Sequence, residues 1–375
     1  MSRSLYLFAL LLLLSSCGSK NEENQAENTP AVQIPRSDPP PSKTILISNI
    51  EYLRLRSVPG PQGEILENLP NGSSMEYLGE MSSFRTEVNL RGITFDEPWI
   101  KVRTDAGIEG WVFAGALNFK LDDSSSLPEQ LMEIRLTSLF GEPLAAEIKA
   151  YRNAYRKAQT DLDLNDQYHV GTALREKMVA KMDQFIVVDD YEHLPDLFWL
   201  QQALPALQPQ LVAEGTAYYL FHNYATWEER AQKTSGVEDD AFFNLCLDLF
   251  KMDSIEYFWP DYFLQTWDYG GHSELGSGKH LDLIRKMDKT IRQSPSFADL
   301  IQEMKADLLN DILGPEVTYW NNQESILQEL GQILKEPVTI LSQEDIIALK
   351  QREKQFNAPE ANKIELNFGS DPSGN

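Results

Sequence analysis

Two stretches of the chain carry side chains whose types and spacing could do chemistry. In the first, residues 209–227, Glu214, Tyr218 and His222 stand four apart. On a helix that spacing sets a carboxyl, a phenol and an imidazole along one face. The second runs Trp267-Asp268-Tyr269-Gly270-Gly271-His272-Ser273-Glu274-Leu275-Gly276-Ser277-Gly278-Lys279-His280. Its four glycines would let a loop approach a ligand closely, and its histidines and acids could receive one. Glu214, Tyr218, His222, Asp268, Tyr269, His272 and His280 therefore make up a candidate pocket. The aromatic run Tyr257, Phe258, Trp259, Tyr262, Phe263, Trp267 and Tyr269 could line such a pocket for a sugar or peptide, although a core seam is the simpler expectation.

The chemistries open to these residues can be weighed by pattern. His222, His272, His280, Glu214 and Asp268 are suitable metal donors, but there is no His-Glu-x-x-His and no paired cysteine motif, so no metal and no cofactor are expected. Ser273 or Ser277 could be imagined as a hydrolase nucleophile. Gly276-Ser277-Gly278, however, is a loop and not a Gly-x-Ser-x-Gly elbow after a strand. A phosphate-binding loop fails because Gly278-Lys279 is followed by His280. No catalytic residue is assigned, and the expectation leans away from an enzyme. The simpler readings are a structural turn for the glycine loop and a buried hydrogen-bond network for the Glu214 face. Cys246, in an apolar helical setting, reads as a buried, inert thiol.

These residues sit in a region whose apolar period is helical. Leu144, Ile148, Tyr151 and Tyr155 form one stripe, and Phe297, Leu300, Ile301, Met304 and Leu308 form another. Ser296 with Asp299, and Ser342 with Asp345, have the spacing of capping boxes. About nine or ten helices are expected in a domain over 128–355, after a short junction at Asp122 to Ser126 and before a disordered tail at 356–375. Upstream, over 44–120, the period is two. Tyr52-Leu-Arg-Leu-Arg and Trp99-Ile-Lys-Val-Arg alternate, and Pro59-Gly60-Pro61, Pro70-Asn71-Gly72 and Asp105-Ala-Gly107 mark turns. Residues 81–98 are expected to form an elongated hairpin, with Phe84 to Leu90 and Ile93 to Phe95 flanking Arg91-Gly92.

The order Leu53-Arg-Leu-Arg-Ser57, a Pro-Gly turn, Ile65 with Leu69-Pro70-Asn71-Gly72, Trp99-Ile-Lys-Val-Arg103, then Gly110-Trp111-Val112 with Ala116-Leu117 resembles the bacterial SH3-like domain. The fold class expected is thus multidomain, a small all-β SH3-like barrel followed by a mainly α-helical domain. The resemblance implies binding of cell-wall peptides, or a targeting or packing role beside another domain. Tyr52, Phe84, Trp99 and Trp111 are the candidate ligand contacts, because aromatics offer area at low entropic cost. The alternative for the two tryptophans is that they close the ends of the barrel. The hairpin insertion departs from the family pattern and could cover or extend its groove.

The N-terminus supplies an address. Leu5 to Leu14 is a ten-residue apolar run, roughly 15 Å as a helix and half of what a bilayer core needs, so residues 1–16 read as a signal peptide. Leu14-Ser15-Ser16-Cys17 resembles the lipobox of bacterial lipoproteins. That resemblance implies cleavage before Cys17, acylation with palmitate-type chains, and anchoring to a Gram-negative-type envelope. The absence of Asp after Cys17 implies the outer membrane, at its periplasmic face or the cell surface, and Lys20-Asn21-Glu22-Glu23 resembles a surface-export signal. Residues 17–43 are polar and Pro-rich and read as a disordered tether. The net charge of −24 excludes a nucleic-acid partner, which would need a basic face. The expected partners are the membrane, through the N-terminal lipid, and peptidoglycan or an envelope protein. Two rivals stand beside this binding role: a periplasmic or surface hydrolase in the helical domain, with the barrel as its targeting module, and a structural envelope spacer.

Overall fold

Alternating Leu, Ile and Val with turn residues between them build the N-terminal strands. The computed structural model describes residues 43–121, 126–188, 192–212, 217–251, 259–265 and 271–366. The signal peptide, Cys17, the tether up to residue 42, Glu214, Asp268, Tyr269 and residues 367–375 lie outside these. The first seven strands are β1 (Ile45–Ser48), β2 (Leu53–Arg56), β3 (Ile65–Leu69), β4 (Ser74–Leu90), β5 (Ile93–Thr104), β6 (Glu109–Phe113) and β7 (Leu117–Asn118). They form one antiparallel sheet in the order β3-β2-β6-β5-β4-β1-β7. The sheet curls into an SH3-like half-barrel. Leu46, Leu53, Leu55, Met75, Ile100, Val102 and Val112 point inward and are buried, as the period-two pattern requires.

The β4–β5 hairpin turns at Arg91-Gly92, with φ of 51° and 83°. These positive values suit a two-residue turn whose twist matches that of the strands. Register shifts between Tyr77 and Met81 and between Met81 and Arg85 bend the ribbon. Its far end packs against the helical region. Val187 N–H donates to Gly92 O at 3.0 Å, Ile93 and Phe95 are buried, and Phe95 meets Trp199 edge-on with ring centroids 6.5 Å apart.

The rest of the chain is mainly helical: α1 (Ser126–Phe140), α2 (Glu142–Lys157), α3 (Asp161–Met182) and α4 (Phe198–Ala203), then strands β8 (Leu207–Val212) and β9 (Ala217–His222), then α5 (Tyr224–Ala231) and α6 (Glu238–Leu249). After them come β10 (Phe263–Gln265), β11 (Gly271–Ser273), α7 (Lys279–Gln293), α8 (Ala298–Leu313), β12 (Thr318–Tyr319), α9 (Gln323–Ile333), α10 (Gln343–Phe356) and β13 (Glu365–Leu366). The last four strands form a small sheet in the order β10-β11-β12-β13. The Ser342–Asp345 capping box is present at α10. Ser296 does not cap α8: its residue lies in a 3₁₀ turn over Pro295–Phe297, and its N–H is taken by the Glu238 carboxylate at 2.8 Å. Thr160 and Asp163 form a further capping box at α3.

Two hydrophobic clusters organise the molecule, and the first crosses from strands to helices. It joins the inner face of the half-barrel to α1, α2, α4 and the β8–β9 hairpin, while the second gathers α5 to α10. Helix α3 spans both, with Leu174, Met178 and Met182 in the first cluster and Leu164 and Tyr168 in the second. At the heart of the first is a buried ion pair. Arg135 of α1 meets Glu97 of β5 with Nε–Oε1 at 2.6 Å and Nη2–Oε2 at 3.0 Å, and both side chains are fully enclosed. The guanidinium also donates to Ala114 O and lies 5.1–5.5 Å from the rings of Phe95, Phe119 and Trp199.

Candidate functional site

On the SH3-like sheet the four aromatic candidates divide by exposure. Tyr52 is 76% exposed and Phe84 46%. Tyr52 precedes β2 with φ of 60°, a left-handed backbone that costs a bulky residue of order 1 kcal/mol or more. Phe84 lies over Gly60. Trp99 is buried and donates its indole N–H to Thr86 Oγ1 at 3.0 Å, with Phe113 packed beside it. Trp111 is half-buried against the first core. Of the four, Tyr52 and Phe84 therefore expose large aromatic area, Trp111 is half-buried, and Trp99 is core.

The Tyr218–His222 segment is a strand where a helix was expected. Residues 207–212 and 217–222 pair as an antiparallel hairpin, with Leu207 opposite His222 and Leu211 opposite Tyr218. A spacing of four keeps side chains on one face in a strand as well as in a helix, so Tyr218 and His222 are both buried. His222 is held at both nitrogens. The Trp227 indole donates to Nδ1 at 3.1 Å, so Nε2 carries the proton and donates to Thr172 Oγ1 at 2.9 Å. Thr172 in turn donates to Tyr168 O, and the imidazole stacks on the Tyr168 ring with centroids 4.3 Å apart. Burial, with repulsion from Arg175, holds its pKa well below the ordinary value. This is a neutral imidazole with no nitrogen left for a metal or a substrate proton.

The glycine loop does approach an anion closely, and the anion is the chain's own. Gly276 N–H and Gly278 N–H donate to Glu329 Oε2 at 2.5 and 3.0 Å, and Leu281 N–H donates to Oε1 at 3.0 Å. Gly276 and Gly278 have φ of 100° and 90°, which turns their amides inward. Glu329, on α9, is buried and occupies the amide-lined N-terminus of α7, where an external anion would otherwise go. Asn321 pins the same loop by donating to Glu274 O and Leu275 O. Lys279 is engaged by Glu274 and Asp261.

Ser273 and His280 do meet, through a carboxylate that the sequence pattern does not reveal. Ser273 donates to Asp311 Oδ2 at 2.5 Å, and His280 Nε2 lies 2.8 Å from the same oxygen. Ser273 and His280 are buried. Asp311 also borders a shallow pocket of about 220 Å³ with Trp259, Tyr262 and Phe263. A hydrolytic triad needs imidazole between serine and acid, so that the hydroxyl proton passes to nitrogen. Here the acid is central, and the serine proton is already held by a carboxylate. His272, by contrast, is half-buried on β11 opposite Leu264 and edge-on to Trp320. Among the described candidates, His222 and His280 thus belong to separate networks. Glu214, Asp268 and Tyr269 lie outside the described residues. Cys246 is buried on α6, and its thiol pKa is pushed well up by burial.

The residues sequence reasoning missed are Glu97, Arg135, Asp311 and Glu329. Each pairs with a group dozens of positions away, so no local pattern marks them. Among the described residues, no three His, Cys, Asp or Glu side chains are grouped to hold a metal ion, and no helix is long and apolar enough to cross a membrane. Residues 51–118 match the family model described as Bacterial SH3 domain, so the N-terminal sheet is a bacterial SH3 domain followed by a mainly helical region. Comparison with curated proteins and with solved structures found no match.

Proposed function

We propose that this chain is a lipid-anchored envelope protein, tethered through Cys17, whose SH3 domain binds a cell-wall peptide or an envelope protein, the wall peptide first. The observation that carries the binding role is the bacterial SH3 match over 51–118 with two large aromatics, Tyr52 and Phe84, exposed on it. The anchor rests on the apolar run Leu5 to Leu14 followed by Leu14-Ser15-Ser16-Cys17. Acyl chains contribute about 0.8 kcal/mol per buried methylene, and more than one chain is needed for stable attachment. The outer membrane is the proposed location, because no aspartate follows Cys17.

Two experiments separate the parts. Co-sedimentation of the purified chain with peptidoglycan sacculi should retain it, and the double substitution Tyr52→Ala/Phe84→Ala should release it without lowering its melting temperature. Retention that is unchanged in the variant would remove those residues from the site, and no retention of the parent would remove the wall as ligand. Mass spectrometry of the protein made in its bacterial host should find Cys17 as the acylated first residue. Residues 1–16 still attached would end the anchor.

A further inference from the structure

Apart from the SH3 surface, three half-exposed apolar side chains converge at one groove where the sheet meets the helices. Ile45 and Ile47 of β1 are 47% and 43% exposed, and Phe198 at the start of α4 is 44% exposed. With Phe119 as a buried floor and Pro128 at one side, they line a groove of about 550 Å³, well within the range of about 300–1,000 Å³ for small-ligand sites. The groove is preformed. Gln202 of α4 donates to Phe119 O at 2.6 Å and accepts from Leu121 N–H at 2.9 Å, fixing the segment that forms the floor. The Phe119 ring lies 5.3 Å from the Arg135 guanidinium, and Asn118 is tied to Asp196 at 3.0 Å.

Charge at the rim runs against the rest of the molecule. The chain has 57 acidic and 33 basic residues, yet among the described residues the charged ones lining this groove are Lys43 and Lys120, and none is a carboxylate. Lys43 also reaches Glu76 at 3.2 Å. Lys120 is exposed and has no ion-pair partner among the described residues. A peptide laid here would need partners for its amides, and the Phe119 carbonyl is already taken by Gln202. A methylene chain has no such need. We propose that the groove binds a single-chain anionic amphiphile of the fatty-carboxylate class, with its alkyl chain along Ile45, Ile47, Phe119 and Phe198 and its carboxylate at Lys120 and Lys43.

The test uses the full chain and displacement of dansyl-undecanoate fluorescence, below the micelle concentration of every competitor. Octanoate, decanoate and dodecanoate should displace it saturably, with affinity rising about threefold to fourfold per added methylene. Ile47→Ser and Phe198→Ser alter exposed side chains and should each weaken dodecanoate at least tenfold, with an unchanged circular dichroism spectrum. Lys120→Glu should weaken dodecanoate about tenfold and leave dodecanol unaffected. No saturable displacement, no dependence on chain length, or unchanged binding in both serine variants would overturn the site. Dodecanol binding as tightly as dodecanoate would overturn the anionic head group, as would follow if Asp122 and Asp123, two and three positions beyond Lys120 in sequence, offset the lysines. Stronger displacement by a phosphate-headed lysolipid than by dodecanoate would overturn the carboxylate assignment.

Discussion

Removing either partner of the Arg135–Glu97 pair should be far worse than removing both. The pair is fully enclosed, with contacts at 2.6 and 3.0 Å. A lone buried charge left by a single substitution costs about 3–5 kcal/mol, whereas replacing both charges by apolar groups of similar volume is often neutral or stabilising. The surroundings set the order of the singles. With Glu97→Met, Arg135 keeps Ala114 O and the faces of Phe95, Phe119 and Trp199, so the loss should be near the lower end, about 3 kcal/mol. With Arg135→Met, Glu97 loses the donor of both its side-chain hydrogen bonds while remaining fully enclosed, so about 5 kcal/mol is expected. The double variant should lie within about 1 kcal/mol of the parent. Urea unfolding followed by tryptophan fluorescence reads this directly, since Trp99 and Trp199 lie in the shared core. At a slope of about 3 kcal/mol per molar, the singles should lose about 1 to 1.7 M in midpoint. Singles within about 1 kcal/mol of the parent, or a double no better than the worse single, would refute the assignment of this pair as a desolvated clamp.

Three further outcomes follow from the same kind of contact. Glu329→Ala removes the charged acceptor of three amides at the glycine loop, that of Leu281 buried and those of Gly276 and Gly278 partly so, and should cost about 3 kcal/mol; hydrogen exchange at Gly276, Gly278 and Leu281 should rise selectively, and unchanged protection would contradict the cradle. Gly92→Ala places a Cβ 1.8 Å from Val187 O at a φ of 83°, so thermal unfolding should show a clear loss, about 2 kcal/mol or more, where an unstrained site would show a gain. Below pH about 6.5 the unfolded chain takes up a proton at His222 that the folded chain refuses, because the folded pKa is depressed; its stabilising share is complete above that pH and falls by up to about 1.4 kcal/mol per unit below it. Asp239, pushed up to about 6 by burial and by Asp161, acts in the opposite direction over the same window. The slope of stability between pH 6.5 and 5 must therefore be compared between the parent and His222→Gln, and equal slopes would remove His222 from the account.

Local pattern carried much of the fold and little of the site. The alternation in Tyr52-Leu-Arg-Leu-Arg and Trp99-Ile-Lys-Val-Arg gave strands β2 and β5, and the stripe Leu144, Ile148, Tyr151, Tyr155 gave the buried face of α2. These signals repeat within a few residues. The spacing of Tyr218 and His222 was ambiguous because four is close to one helical turn and is also two strand repeats. The local composition Tyr218-Tyr-Leu-Phe-His222 favours a strand, and β9 follows it. Pro209 is tolerated in β8 because a two-stranded hairpin has a free edge on each strand. The groups that decide the chemistry of the glycine loop are invisible to any period. Glu329 lies 51 residues from Gly278 and Asp311 lies 38 from Ser273, so only the packing of α7, α8 and α9 brings them together.

Those long-range carboxylates also shift where function is to be sought. A glycine-rich helix start, a serine with a nearby histidine, and a histidine among aromatics each suggest a site when read locally. Glu329 fills the first, Asp311 holds the serine proton in the second, and Trp227 with Thr172 saturates the third. Polar groups enclosed in a core need partners, and the loop amides, the Ser273 hydroxyl and both nitrogens of His222 find theirs within the chain. The proposed binding rests instead on surface side chains. Tyr52 and Phe84 on the SH3 sheet, and Ile45, Ile47 and Phe198 in the groove beside it, expose large apolar area. Both surfaces are built on the half-barrel, which the β4–β5 hairpin and the Arg135–Glu97 pair clamp to the helices. The shared core holds the two sides of the groove together where a loose linker would not, since Phe198 and Gln202 come from α4 while Ile45, Ile47 and Phe119 come from the sheet side.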